Sequence, residues 1–148
     1  MISSGLSNRL IFVLSLLGLF VSSFLLYEYN LQGPVACPTG AGCDIVRASQ
    51  YSSFLGISIP ILGVLFYLVM AAFSVVQAQK ASNNLLFQAG VLISLIGVGF
   101  GTYLTFLEIF VIKAICLYCM ISAGISTALF LSGLYYLIAS RKPSDKMV

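Results

Sequence analysis

Few side chains in this sequence can carry chemistry. The four cysteines fall into two close pairs, Cys37 with Cys43 and Cys116 with Cys119, and histidine is absent. That absence removes the usual proton shuttle, the commonest metal ligand and the familiar serine and cysteine hydrolase triads. What remains is sulfur redox chemistry. Cys116-Leu117-Tyr118-Cys119 is a C-x-x-C whose i, i+3 spacing puts both sulfurs on one face of a helix, close enough to bridge after modest adjustment. At a helix start the free N–H groups and the positive dipole end favour a thiolate, and Lys113, three residues earlier, adds to this. A thiolate attacks disulfides and donates electrons to a quinone. The other pair closes the short loop Cys37-Pro38-Thr39-Gly40-Ala41-Gly42-Cys43, a spacing that bridges and opens easily, with two glycines to give it swing.

The elements that position these residues follow from composition. Of 148 residues 60% are hydrophobic and 7% charged, too little polar surface to cover a soluble globule. Stretches 10–27, 48–79, 81–107 and 114–140 carry no charge, and each can hold the roughly 20 apolar residues that cross a bilayer. The fold class expected is all-α integral membrane, a single domain over 1–148 with transmembrane helices at about 9–29, 59–79, 84–110 and 114–139. Gly33-Pro34 stops the first helix, Ser58 and Pro60 open the second, and residues 30–58 form an outer redox loop. In that loop Asp44 is read as the cap of a short interfacial helix. The polar turn 80–84 predicts that the second and third helices pack as antiparallel neighbours. Gly97 and Gly101 form a G-x-x-x-G face for close helix approach.

Four spans put both termini on one side. Arg9, Lys80, Arg141, Lys142 and Lys146 share that side and only Arg47 and Lys113 lie opposite, so the positive-inside bias predicts cytoplasmic termini and outward-facing cysteines. The first span is read as retained, since no small-residue cleavage site follows it. The net charge of +3 is accounted for by these flanking residues and carries no suggestion of nucleic acid.

Two pairs of cysteines on one membrane face argue against four incidental small apolar residues. A static staple at Cys37/Cys43 and a four-cysteine zinc site are the other readings, and nothing else in the loop resembles a zinc module. Glu108, near the outer end of the third helix, has two readings held equal: a proton relay to a reduced quinone, or an interfacial side chain paired with Lys113. Ser49, Ser52 and Ser53 read as surface hydroxyls; Phe54, Phe66, Tyr67, Phe106 and Phe110 read mostly as packing, with some lining a ring-shaped pocket.

These residues resemble the vitamin K epoxide reductase family in its bacterial branch, over about residues 33–123. The resemblance rests on Cys37-Pro-x-Gly-x-Gly-Cys43-Asp44, on Ser49 six residues after Cys43, on Ile59-Pro60-Ile-Leu-Gly63-Val-Leu-Phe66-Tyr67, and on the block from Tyr103 through Glu108 to Cys116-Leu-Tyr-Cys119. It implies a four-helix bundle around a quinone of ubiquinone, menaquinone or phylloquinone type, with a short helix capping the pocket. By that pattern Cys119 is the sulfur nearest the quinone, Cys116 exchanges with Cys43, and Cys37 completes the outer pair that meets the partner. The pocket expected from it comprises Ser49, Ile59, Leu62, Phe66, Tyr67, Leu104, Glu108, Ile112 and Ala123, with no metal. The animal enzymes have a tyrosine and an asparagine where this sequence has Ala123 and Ile59, which favours an ordinary quinone over vitamin K epoxide as electron acceptor. Many bacterial members continue into a thioredoxin-like domain; this sequence reaches Val148 without one, so a separate thioredoxin-fold thiol protein is the expected partner, at a bacterial inner membrane. The alternative enzyme is a vitamin K or vitamin K epoxide reductase, and the alternative outside enzymes is a metal-binding or chaperone membrane protein.

Overall fold

Helices form wherever the chain is apolar and uncharged, because inside lipid each backbone N–H and C=O must find a partner within its own segment. The computed structural model describes residues 4–31, 33–38, 40–79 and 84–140. In chain order these residues form α1 (Ser4–Asn30), a short α2 (Gly42–Ala48), a hairpin of β1 (Ser53–Phe54) and β2 (Ile57–Ser58), α3 (Ile59–Gln79), α4 (Asn84–Phe106), a π-helical turn (Leu107–Ile112) and α5 (Leu117–Ser140). Four of these segments are long and apolar enough to span a bilayer: Gly5–Asn30, Ile59–Gln79, Leu85–Ile112 and Leu117–Ile138. The protein is an all-α membrane bundle with a short helix in the loop between its first two spans.

Several details differ from the sequence expectation. Asp44 does not cap α2; Ala41 stands at that position, and the Asp44 carboxylate accepts the N–H of Val35 at 2.9 Å, tying α2 to the start of the loop. The third span does not run as an α-helix to 110. It widens into the π turn after Phe106, and Lys113 ends it in the left-handed region at φ 55°, with the N–H of Lys113 and of Ala114 both turned to the Glu108 carbonyl. Hydrophobic periodicity does not distinguish one helical turn type from another over six residues. The last helix begins at Leu117 rather than 114, with the Cys116 carbonyl accepting the Met120 N–H at 3.0 Å. The hairpin at 53–58 was not anticipated; Leu55 (φ 53°) and Gly56 (φ 83°) form its turn, and a leucine in that conformation gives no sequence signal. Of the turn expected at 80–84, residues 80–83 lie outside the described residues, as do all the flanking cations of the terminal face except Arg9.

The bundle closes in the order α1, α3, α4, α5, with α5 returning to α1. Lipid tails are as apolar as leucine, so packing between spans relies on close fit and small residues. A Cβ at Gly18 would stand 2.2 Å from the ring of Tyr67, so the bare α-carbon there is the socket that admits the tyrosine. Tyr67 is 1% exposed and donates its hydroxyl to the Ser122 carbonyl at 2.8 Å, joining α1, α3 and α5 through one side chain. The two glycines expected to form one packing face divide their work: Gly97 receives the Phe66 ring from α3, while Gly101 faces Ala123 of α5. At the other end Ser74 donates to the Asn8 side-chain oxygen at 3.0 Å, and the Asn8 amide returns a bond to the Ser74 carbonyl at 3.0 Å. Gly18→Ala is expected to lower the thermal midpoint of the detergent-solubilised protein, at a cost of about 1–3 kcal/mol for overpacking a filled core; circular dichroism melts check this.

Candidate functional site

The site is assembled at the end of the bundle where α1 ends and α5 begins. Charged residues are scarce, and three of them hold the loop between the first two spans in place. Asp44 takes the Val35 N–H, the Glu28 carboxylate takes the Ala36 N–H at 3.3 Å, and the Arg47 guanidinium donates to the carbonyls of Gly33 at 2.9 Å and Leu31 at 3.0 Å while lying over the Tyr29 ring. The loop so held carries Cys37 and Cys43 joined as a disulfide, whereas Cys116 and Cys119 are free thiols.

Cys43 and Cys116 are each 1% exposed and belong to one buried cluster with Leu25, Val35, Val46 and Ala114; Cys37 and Cys119 pack against its edge. The fold therefore collects all four sulfurs in one apolar nest. Close approach at this point depends on Gly42, where a Cβ would meet the Ile115 carbonyl oxygen at 2.3 Å. Gly40 is different: at φ 89° with open space around it, it serves the turn. The two glycines read together as sources of swing thus have separate tasks, a turn and a backbone-to-backbone contact.

Cys116 sits at the cap of α5, where the backbone N–H groups of Tyr118 and Cys119 approach its sulfur. The Cys119 thiol donates to that sulfur as well, and together with the two N–H groups it holds the Cys116 thiol below the ordinary range against the opposing effect of burial. Glu108, 3% exposed, accepts the Cys116 N–H at 3.0 Å and stands within hydrogen-bond reach of the Cys119 thiol. Glu108 follows Gly101 and Leu104 at helical spacing, on the face of this span that looks toward α5 and the cavity. Lys113 is exposed at the left-handed end of the π turn. Among the described residues no three histidine, cysteine or acidic side chains gather as a metal site.

Below the sulfurs lies a cavity of about 330 Å³. Of the residues expected to form a pocket, Ile59, Leu62, Phe66, Tyr67, Leu104 and Ala123 line it, together with Cys119. Glu108 and Ile112 instead line a much smaller cavity between Tyr29 and Cys119, which Ile59 and Leu104 also reach. Ser49 lines neither; its hydroxyl donates to the Val46 carbonyl at 2.7 Å and closes α2. Sequence reasoning missed Val21, Ser22 and Leu25 of α1, Phe100 of α4, and Tyr118, Ser122 and Ser126 of α5. The α5 residues share a helical face with Cys119 and Ala123, a signal available from the spacing; the α1 residues gave none, because only packing shows that α1 borders the cavity. Ile96 lines the cavity although 72% exposed, so the cavity reaches the lipid-facing surface between α3 and α4.

A dithiol beside a disulfide, at the edge of an apolar cavity open toward lipid, is the arrangement of a membrane thiol oxidoreductase. Residues 9–134 match the family model described as the vitamin K epoxide reductase family, and the chain belongs to that family. Its members are membrane oxidoreductases linked to quinones. The cavity fits such a group: its wall is apolar and ring-rich, with Phe54, Phe66 and Phe100 on it, and the hydroxyl residues Ser22, Thr105 and Ser122 are among those that line it.

Two outcomes follow from the geometry. Gly42→Ala is expected to push α2 off Ile115 and slow thiol–disulfide exchange between the pairs by tenfold or more, of the order expected when reacting atoms move by about 1 Å; trapping with an alkylating agent and mass analysis of each pair checks this. In the reduced protein Cys116 is expected to titrate below the ordinary thiol value of about 8.5. Its thiolate therefore appears as pH rises through that lower point, and Cys119→Ala moves the midpoint upward by removing the donated thiol; thiolate absorbance against pH measures both.

Proposed function

We propose that this chain is a disulfide-generating quinone reductase, passing electrons from a separate thioredoxin-fold thiol protein through Cys37/Cys43 and Cys116/Cys119 to a quinone of ubiquinone or menaquinone type. The observation that carries this reading is the shared burial of Cys43 and Cys116 in one cluster while Cys119 borders both that cluster and the cavity. Around Cys37 the residues Ala36, Pro38 and Gly40 are exposed, leaving a surface for the partner.

The steps balance. A partner dithiol reduces the Cys37–Cys43 disulfide and becomes a disulfide itself, carrying two electrons and two protons inward. The Cys43 thiolate then attacks the Cys116 sulfur of an oxidised inner pair, and Cys119 leaves as a thiolate. Cys37 next attacks Cys43, reforming the outer disulfide and releasing Cys116, whose lowered pKa makes it a good leaving group. The result is an outer disulfide and an inner dithiol, the state described above. As the inner disulfide closes again, the S–H bond of Cys119 breaks and the Glu108 carboxylate takes that proton, while Cys116 has already released its own to water. A quinone bound in the cavity would supply the electron sink, accepting the two electrons together with two protons, one returned by Glu108 and one from water. Of the two roles open to Glu108, its bond to the Cys116 N–H and its proximity to Cys119 favour the proton relay. The location that fits is a bacterial plasma membrane with the cysteines on the outer face and the termini in the cytoplasm, in line with the cation distribution.

Purified protein supplied with a short-chain ubiquinone and a reduced thioredoxin-fold protein is expected to form quinol, followed by absorbance. Cys119→Ala is expected to abolish quinol formation while leaving partner exchange at Cys37/Cys43 partly intact. An absence of quinol from the unmodified protein, with turnover instead on vitamin K epoxide, would reassign the substrate; thiols that stay metal-bound and indifferent to quinone would remove the enzyme reading.

A further inference from the structure

Tyr118, between the two cysteines of the C-x-x-C, has a role that neither its sequence position nor the electron path assigns. It lies in the first turn of α5, half-buried, with its ring against Phe24 of α1 at 5.4 Å between centroids. Its hydroxyl donates to the carbonyl of Ala36 at 2.7 Å, across 82 residues of sequence. Ala36 immediately precedes Cys37.

The peptide units at 35 and 36 are held from three directions. Asp44 of α2 takes the Val35 N–H and Glu28 of α1 takes the Ala36 N–H, and both of these bonds fasten the loop to its own flanking segments. The Tyr118 bond differs in origin, because it comes from the helix that carries the inner pair. The contact of Gly42 with Ile115 also joins the two halves, but it is a packing contact at Cys43 and restrains that cysteine. The Tyr118 bond is directional and restrains the other, Cys37. Burial separates the two sulfurs in the same sense: Cys43 is 1% exposed, while Cys37 is half-buried at the cluster's edge among exposed neighbours. A shuttle needs one sulfur fixed toward the inner pair and one that turns outward, and the turning sulfur needs a restraint that releases at low cost. One exposed hydroxyl-to-carbonyl bond, with a net worth near that of an ordinary hydrogen bond, meets this requirement.

We infer that Tyr118 is a positioning residue that latches the Cys37 arm of the outer disulfide onto the first turn of α5, so that access of an external thiol to that disulfide requires the Tyr118–Ala36 bond to open. This rests on the reading that the two pairs exchange, but its first readout needs neither exchange nor a quinone. The ring of Tyr118 keeps its place against Phe24 without the hydroxyl, so the informative variant is Tyr118→Phe.

The test uses the full chain in detergent or nanodiscs, fully oxidised and then offered a small dithiol, dithiothreitol, with alkylation and mass analysis reporting each cysteine pair over time. In Tyr118→Phe the outer disulfide is expected to be reduced about fivefold faster, the weight of one net hydrogen bond, while onward transfer to Cys116/Cys119 does not accelerate. Amide exchange over residues 33–38 is expected to rise by a similar factor, with the middle of α1 unchanged. A variant with loosened structure throughout would lose protection in α1 and slow both transfers, and that result overturns the latch. So does an unchanged or slower reduction of the outer disulfide, or an equal acceleration of both transfers. A protein that reduces no quinone yet shows the expected split keeps the latch and loses only the proposed acceptor.

Discussion

Two backbones in contact at one glycine hold the site together. The start of α2 rests directly on the carbonyl of Ile115, a distance available only where the first residue has no side chain, and this contact puts Cys43 into the same apolar cluster as Cys116. Everything upstream serves it: Asp44 and Arg47 tie α2 to residues 31–35, and Glu28 ties the following peptide to α1. Downstream, the left-handed turn at Lys113 reverses the chain so that Cys116 arrives at the cap of α5 instead of continuing a long helix. That conformation costs roughly 1–2 kcal/mol for a residue with a Cβ, and it leads into the segment that sets Cys116 at the start of α5.

The scarcity of charge in this chain makes the tasks of Glu28, Asp44, Arg47 and Glu108 identifiable. In a membrane protein a buried carboxylate is expensive and persists where it has partners and work. Glu108 has both, holding the N–H of one inner cysteine and standing beside the thiol of the other. The serines follow the same logic in neutral form. Ser15, Ser94 and Ser126 return their hydroxyls to carbonyls of their own helices, so they present small surfaces to neighbouring spans without leaving a polar group unsatisfied.

Asymmetry in the bundle creates the cavity. Tyr67, seated in the socket at Gly18 and bonded to Ser122, knits three helices on one side, while α3 and α4 meet chiefly through rings set against glycines and part above them. The space that results is apolar, borders Cys119 and reaches the lipid-facing surface at Ile96. Under the proposed function, a lipid-dissolved ring would enter from the bilayer while thiol exchange takes place at the loop, separating the two half-reactions in space.

The number of spans, their approximate limits, the pairing of cysteines by spacing and the place of the C-x-x-C at a helix start were all legible in the sequence, because hydrophobicity and turn chemistry act within a few residues. So was the family, through motifs that combine spacing with residue type. The π turn after Phe106, the left-handed lysine and the hairpin at Leu55 were not, since neither a π turn nor a side-chain-bearing residue in the left-handed region has a signature in residue type. Which glycine admits a neighbour and which turns the chain, that Ser49 spends its hydroxyl on Val46, and that α1 walls the cavity were likewise settled only when the helices met. Local pattern determines which segments enter the membrane; close packing among those segments determines which atoms touch.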